Sequence, residues 1–318
     1  MKPLHIALCY RPTWYRKARI DGQFAYPVPE FTWTAHHLDK TFRVGLVGLK
    51  ADAVFWDEGK HGRTSAFFPA KGHRRTPVMY YSLYPTLARH IFQDRVARAK
   101  RQADLVLLDH DAVKRWQREG LKARRLAYSV NENYYFDDGG KRHVDVGFYC
   151  VWCYNPARPA MDAWLEDICK RKGWQYATTR GRNVGESYAG LLRRTKVVVH
   201  LNRTNRTRPP RIFDCAASGT ALLSNPMPAV TGEQWISGQH YVAFQDPHDT
   251  YTEPLGAGAR GPFTDGECEE VIQGLEWLLD QGHWEEVAAN AKKYVLANHT
   301  WATRAKQLRA IIYEELGR

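Results

Sequence analysis

The chain has 318 residues, with 46 Lys and Arg against 34 Asp and Glu, a formal net charge of +12. This length exceeds what one hydrophobic core usually organises, so we expect two domains. The absence of an apolar run long enough to cross a bilayer argues against stable membrane insertion. Six cysteines in so long a chain exclude a disulfide framework, so we expect a cytoplasmic protein.

Apolar runs and amphipathic stretches alternate along the chain. In the first half they predict strands at 4–10, 44–48, 52–56, 77–81 and 104–108 and helices at 86–102 and 111–119. In the second half they predict strands at 145–149, 174–178, 196–201, 220–224 and 241–244 and helices at 160–172, 186–194, 210–218, 266–280, 283–297 and 300–316. This alternation is typical of α/β proteins with doubly wound parallel sheets.

The domain boundary is predicted from composition. The turn-rich stretch at 137–141, Asp-Asp-Gly-Gly-Lys, is the best linker candidate. We therefore predict two Rossmann-like domains, residues 1–140 and 141–298, followed by a C-terminal helical segment, residues 299–318.

Residues 197–224 are the most informative stretch. A buried strand ends at Leu201, and a loop rich in arginine and free of acids follows it. Two prolines then open a predicted helix at Arg211, which ends at the helix-terminating Gly219. Helix N-termini and arginine side chains both bind phosphate well, so this segment predicts a diphosphate site.

The same segment resembles a known family. RIFDCAASGTALLS at 211–224 is similar to a conserved stretch of group 1 glycosyltransferases, and most of all to their short spore-maturation-type branch. Three further stretches resemble that family in the right order: ADLVLL at 103–108, VDVGF at 144–148 and HTWATRA at 299–305. The resemblance extends from about Ala103 to the C-terminus.

The resemblance implies the GT-B fold, in which two Rossmann-like domains face a cleft and the last helix crosses back to the first domain. It implies a nucleotide-sugar donor, with UDP-sugar favoured, in the second domain and no other cofactor. Asp214 stands where the family has a Glu that binds the donor ribose, and Arg206 stands where many members have a second Glu that contacts the sugar. The predicted donor-binding residues are Arg203, Arg206, Arg208, Arg211, Asp214, Ser218, Gly219 and Thr220.

The first domain, which would hold the acceptor, carries most of the net charge. Residues 1–140 contain 24 Lys and Arg against 14 Asp and Glu, a net of +10, whereas the remaining 22 against 20 give +2. Cations alternate with aromatic residues after the first strand, which suits phosphate contact with base stacking and favours DNA as a partner. A solvated basic face or a surface for anionic lipid explains the charge equally well. The predicted acceptor-binding residues are Arg11, Trp14, Tyr15, Arg16, Lys17 and Arg19.

An inverting transfer needs a base for the acceptor hydroxyl. Asp57 is the first candidate, because α/β sites gather at the carboxyl ends of strands, and Asp21 is the second. A retaining enzyme of this family would need no protein nucleophile.

Two motifs resemble metal sites. The Asp-His-Asp triplet at 109–111 begins a predicted helix and is better explained as a helix cap, and the Cys-x-x-Cys pair at 150–153 lacks a second pair of ligands. We expect no metal site.

Three functions remain open. The first is a glycosyltransferase that acts on a hydroxymethylated pyrimidine in DNA, as in phage DNA modification. The second is a glycosyltransferase for a cell-envelope or lipid-linked glycan at the inner membrane surface. The third is an inactive glycosyltransferase-like protein that binds nucleic acid. The sequence does not indicate the oligomeric state.

Overall fold

The structure of the chain is a computed structural model. It describes residues 4–10, 31–37, 51–57, 77–82, 89–108, 112–150, 157–179, 185–201, 210–227, 233–245 and 262–317. The chain forms two compact units, the first made of residues 1–129 and 301–318 and the second of residues 130–300. The predicted linker at 137–141 and the residues before it, from 130, thus lie with the second unit.

The first unit contains a six-stranded parallel sheet in the order β2-β1-β3-β4-β5-β6. Its strands and helices are β1 (Leu4–Tyr10), β2 (Phe31–His37), β3 (Ala53–Asp57), β4 (Val78–Ser82), α1 (Arg89–Gln102), β5 (Leu105–Leu108), α2 (Val113–Arg118), β6 (Ala123–Arg125) and α8 (Trp301–Leu316). The helix α1 buries Phe92, Val96 and Ala99 against the sheet, because residues at this spacing share one helix face.

The C-terminal helix α8 belongs to the first unit, although its residues are the last of the chain. The guanidinium of Arg304, which is 7% exposed, donates a hydrogen bond of 2.9 Å to the carbonyl oxygen of Ala127. At the other end of α8, Glu314 and Glu315 form ion pairs with Arg124 of β6. The helix therefore covers the edge of the sheet where β6 lies.

The second unit contains a five-stranded parallel sheet in the order β11-β10-β9-β7-β8. Its elements are β7 (Val144–Phe148), α3 (Ala157–Lys172), β8 (Tyr176–Thr178), α4 (Gly185–Arg193), β9 (Thr195–His200), α5 (Arg211–Ala217), β10 (Ala221–Ser224), β11 (Val242–Ala243), α6 (Glu269–Leu279) and α7 (Trp284–Asn298).

Alternate residues of the central strands form the core of the second unit. Val146, Val197 and Val199 are fully buried and point to one face of the sheet, since side chains alternate along a strand. Side chains of α3, α6 and α7 cover that face. The predicted α/β class with doubly wound parallel sheets is confirmed.

The predicted elements differ from the structure in two strands. The strand β2 (Phe31–His37) and the three-residue β6 (Ala123–Arg125) were not predicted. The strand predicted at 44–48 lies outside the described residues.

Candidate functional site

The strand order of the second sheet changes direction at β7. From this strand the sheet continues through β8 on one side and through β9 on the other, so the point of reversal lies between β7 and β9. Ligands of open parallel sheets bind outside the carboxyl ends of the strands at such a point. The residues there are Tyr149 and Cys150 after β7, and His200 and Leu201 at the end of β9.

Arg211, the first residue of α5, is fixed at this point. Its Nη1 donates hydrogen bonds to the backbone oxygen of Tyr149 and, over 3.5 Å, to the Sγ of Cys150. The guanidinium carbon lies 5.1 Å from the ring centre of Tyr188 on α4. Three elements therefore hold the guanidinium where the strand order reverses.

Of the polar neighbours of Arg211, Cys215 and Tyr188 are neutral, and Asp214 is the acidic one. Burial raises the pKa of the Cys215 thiol to about 12 and also raises the pKa of the Tyr188 hydroxyl. Among the ion pairs of the described residues, none includes Arg211. A partly buried guanidinium that no ion pair of the described residues includes favours an anionic ligand, because an opposite charge offsets the cost of its desolvation.

Asp214 lies three residues after Arg211 on the same short helix, and residues at this spacing are neighbours on a helix surface. Its side chain is 6% exposed, and its backbone N–H donates to the oxygen of Pro210 at 3.2 Å. A guanidinium binds phosphate oxygens, and a carboxylate accepts hydrogen bonds from hydroxyl groups. The pair supplies the two groups that recognise a sugar phosphate.

Cys150 and His200 join the ends of β7 and β9. The Sγ of Cys150 lies 3.5 Å from the Nδ1 of His200, and the two residues are 1% and 4% exposed. The sequence pattern assigns neither residue to the donor site. Because the contact joins residues 50 apart in the chain, only the strand pairing could reveal it.

Comparison with known proteins adds the decisive observation. A family model described as glycosyl transferase-like matches residues 148–310, which is more than half of the chain. The chain belongs to the glycosyl transferase-like family. No curated protein sequence matches it.

Solved structures of glycosyltransferases share the fold. The structure resembles HepE of Anabaena in complex with UDP-glucose, with a TM-score of 0.58 and 11% identity over 98% of this chain and 100% of HepE. It resembles a glycosyltransferase from Rickettsia africae, with a TM-score of 0.61 and 8% identity over 99% of both chains. An α1,3-fucosyltransferase with GDP gives a TM-score of 0.52 and 12% identity over 99% of this chain and 91% of that one. The predicted GT-B glycosyltransferase is thereby confirmed, and the spore-maturation-type branch stays a prediction.

Three of the predicted donor-binding residues lie at the opposite edge of this glycosyltransferase's second sheet. The backbone oxygen of Ser218 accepts a hydrogen bond of 2.7 Å from Arg142, and the Oγ1 of Thr220 accepts one of 3.1 Å from the same guanidinium. Arg142 also donates to the backbone oxygen of Thr195, the first residue of β9. These contacts place the end of α5 at the amino ends of the strands, because α5 runs from one edge of the sheet to the other.

Gly219 has a structural role at that same amino edge. Its φ angle is +65°, and an added Cβ would lie 2.7 Å from the Oδ2 of Asp137 and 3.0 Å from the Nη2 of Arg142. Asp137 bridges Arg142 at 2.9 Å and Lys292 at 3.1 Å. We therefore revise the sequence interpretation: Ser218, Gly219 and Thr220 form a hydrogen-bonded end of the helix, and their position at the amino edge argues against a part in donor binding.

Arg158 is a second arginine at the carboxyl edge, and sequence reasoning missed it. It is the second residue of α3 and is 6% exposed, and its Nη2 donates 2.9 Å to the backbone oxygen of Leu201. Arg158 thus holds the point where β9 ends and the arginine-rich loop begins. The signal was the proline at 156, which suits a helix start, but the helix was predicted to begin at 160.

The remaining predicted site residues fall in different parts of the chain. Asp57 is the last residue of β3 and is paired with Tyr10, the last residue of β1. The strand order of the first sheet reverses between these two strands, so their ends mark its ligand-binding point. Outside the described residues lie Arg203, Arg206 and Arg208 of the donor loop, Asp21, and the acceptor residues Arg11, Trp14, Tyr15, Arg16, Lys17 and Arg19.

The described ranges contain neither a metal-binding cluster nor a membrane-spanning helix. There, no group of three or more His, Cys, Asp or Glu side chains could hold a metal ion. The Asp-His-Asp triplet at 109–111 and Cys153 are not in those ranges. None of the described helices is long and apolar enough to cross a membrane.

Proposed function

We propose that this glycosyltransferase transfers a sugar from a nucleotide-sugar, with UDP-sugar favoured, to a hydroxyl group. The observation that carries the proposal is the position of Arg211 and Asp214 beside the point of reversal in the second sheet. Two structures of the same fold support the proposal: HepE is in complex with the nucleotide-sugar UDP-glucose, and the fucosyltransferase is in complex with the nucleoside diphosphate GDP.

Each side chain has a chemical task in this proposal. The bond between the anomeric carbon and the diphosphate oxygen breaks, and negative charge develops on the diphosphate. The guanidinium of Arg211, held by Tyr149, stabilises that charge in surroundings where water does not screen it. The carboxylate of Asp214 accepts hydrogen bonds from the ribose hydroxyls. The leaving group is thus stabilised by arginine, and we propose that no metal ion is needed.

We propose Asp57 as the general base. Its position at the end of β3, beside the end of β1, places it at the carboxyl edge of the first sheet. The carboxylate takes the proton of the acceptor hydroxyl while the acceptor oxygen bonds to the anomeric carbon. Asp21 is the second candidate.

We propose a hydroxymethylated pyrimidine of DNA as the acceptor, modified in the cytoplasm of a bacterial or phage-infected cell. The division of charge between the structural units supports a polyanionic acceptor. The first unit has 28 Lys and Arg against 13 Asp and Glu, a net of +15, whereas the second has 18 against 21, a net of −3. A basic unit of this size attracts polyanions at long range.

The experiment measures donor binding and transfer with the same protein. Binding of UDP-glucose, GDP-glucose and other nucleotide-sugars is measured by calorimetry, and duplex DNA with 5-hydroxymethylcytosine is incubated, digested and analysed by mass spectrometry. We expect Asp214→Asn to weaken binding by about 10- to 100-fold, because hydrogen bonds to a charged group are lost. The control is Asp167→Asn on α3, whose carboxylate is 63% exposed.

The outcomes separate the donor proposal from the acceptor proposal. Equal donor affinity in Asp214→Asn and the wild type would contradict the donor site. If the protein binds the donor but the modified base gains no hexose-sized mass, the donor proposal stands and the acceptor proposal is rejected.

A further inference from the structure

One surface of the first unit is formed by α1, α2 and β6, and we call it the α1–α2–β6 surface. Two side-chain contacts join the helices: the guanidinium of Arg115 lies 3.7 Å from the ring centre of Phe92, and Lys100 pairs at 3.4 Å with Glu119, the residue that follows α2. The side chain of Gln117 donates 3.1 Å to the backbone oxygen of Ala123, which joins α2 to β6. The three elements therefore form one continuous face.

This face is strongly basic. Its exposed cations are Lys100, Arg101, Lys114, Arg115, Arg118 and Lys122. The acids on the same elements are the exposed Asp94 and the half-buried Glu119, which pairs with Lys100. The salt bridges of the described residues leave Arg101, Lys114 and Arg118 without a carboxylate partner. Several charges of one sign thus meet at one surface.

The face also lacks exposed large apolar side chains. In the described part of the chain those are Phe136, Ile236, Leu296 and Tyr313, none of which lies on α1, α2 or β6. A helix that enters a membrane interface presents apolar residues next to its cations. A surface that presents cations without exposed large apolar side chains suits a negatively charged partner that has no hydrophobic layer.

We propose that the α1–α2–β6 surface binds the phosphate backbone of a nucleic acid. The proposal rests on the proposed function and extends it, because it assigns duplex binding to a surface outside the residues that the sequence indicated. Phosphate contacts fix position and orientation without reading sequence. Such contacts would hold the acceptor duplex on the first unit.

The position of α2 fits this role. The helix begins after the carboxyl end of β5, and β5 is separated from β3 by one strand. Neighbouring strands lie about 4.8 Å apart, so the ends of β3 and β5 are about 10 Å apart. Lys114 at the start of α2 is therefore at the same edge of the sheet as Asp57.

The test is the salt dependence of binding to a 20-base-pair DNA duplex, measured by fluorescence anisotropy with the full chain. The variant is Arg101→Gln/Lys114→Gln/Arg118→Gln. If each cation neutralises one phosphate, the slope of log K against log salt falls in magnitude by about 2.7, and affinity at 0.1 M salt falls by about 500-fold relative to an unchanged affinity at 1 M. The control removes three exposed cations of the second unit, in the variant Lys170→Gln/Arg194→Gln/Lys293→Gln.

Each outcome decides the matter. A loss confined to the first variant supports the proposal, and equal slopes in both variants overturn it. Wild-type binding to phosphatidylglycerol vesicles but not to duplex DNA overturns it in favour of a membrane. Hydrolysis of UDP-glucose, measured in the same preparations, should be unchanged in both variants. Its absence from the wild type would count against the proposed function and not against this surface.

Discussion

The substitution Gly219→Ala tests the bonded end of α5. Gly219 has φ +65°, and its N–H and that of Thr220 donate to backbone oxygens of α5 at 3.0 Å each. A Cβ at this position would lie 2.7 Å from the Oδ2 of Asp137, closer than van der Waals contact permits. The carboxylate must therefore move away from Arg142 and Lys292.

The expected cost has two parts. The left-handed conformation costs an alanine about 1–2 kcal/mol. The displaced carboxylate loses charge-assisted hydrogen bonds, which costs a further ~2 kcal/mol. For a unit of this size, each kcal/mol lowers Tm by about 2–4 °C, so a drop of roughly 10 °C follows.

Gly173→Ala is the matched control. Gly173 ends α3 with the same pattern: its φ is +72°, and the N–H of Trp174 donates 2.9 Å to the oxygen of Cys169. Nothing lies within 4 Å of a Cβ added there. This variant carries the conformational cost alone, so we expect a drop of roughly 5 °C. Both are measured by calorimetric unfolding and by chemical denaturation.

Equal destabilisation in the two variants would refute the role of the Asp137 contact. The same proteins test the revision of the donor site. Because Gly219 lies at the amino edge of the sheet, Gly219→Ala should bind UDP-glucose with wild-type affinity well below its Tm. A tenfold loss of affinity in the folded variant would return Gly219 to the donor site.

Three further changes have defined outcomes. Burial favours a higher pKa for Asp137, but the hydrogen bond from Lys292 and nearby charges outweigh burial and lower the pKa. The ionised carboxylate therefore stabilises the folded protein above its ordinary pKa, and this stabilisation is lost as the pH falls through the lowered pKa. Acid titration of unfolding should therefore show that Asp137→Asn is less stable than the wild type at neutral pH, and that the difference disappears in acid. Asp57→Asn should slow transfer by about 100-fold or more with donor affinity unchanged, and an unaltered rate in single-turnover assays would exclude the base role. Arg158→Gln removes a buried bond to Leu201 and should cost about 1–3 kcal/mol in denaturant unfolding, whereas an unchanged midpoint would show that the bond contributes nothing.

The proximity of the candidate arginine and carboxylate could be predicted because their spacing along the chain is local. Arg211 and Asp214 lie three residues apart on one short helix, after a strand that apolar periodicity identifies. Their partners were not predictable in the same way. The contact of Arg211 with Tyr149 spans 62 residues and depends on which strands pair.

The part of the donor prediction that the geometry argues against has a similar cause. Only a few residues separate Arg211 and Asp214 from three other predicted donor-binding residues, Ser218, Gly219 and Thr220. A helix of seven residues is about 10 Å long, so its two ends belong to opposite edges of the sheet. Distance along the chain therefore did not indicate distance from the ligand.

The strands of the first half of the chain were predicted less completely than those of the second half. The strand β2 contains Phe31, Trp33 and two threonines, and its aromatic residues were interpreted as stacking groups of a loop. Aromatic and β-branched residues are equally typical of strands. Only the parallel pairing with β1 separates the two interpretations.

The two ends of the second unit are hydrogen-bonded to each other: Val130 donates 2.9 Å to the oxygen of His299, and it pairs with Thr300 as a single bridge. The second unit is consequently an insertion, a continuous segment whose ends meet, so expression of residues 130–300 alone should yield a folded fragment. The first unit is assembled from both termini. A stop codon after Thr300 would remove the helix that covers β6. It would therefore destabilise the first unit, most of which lies in the amino-terminal half of the chain, and leave the second unit intact.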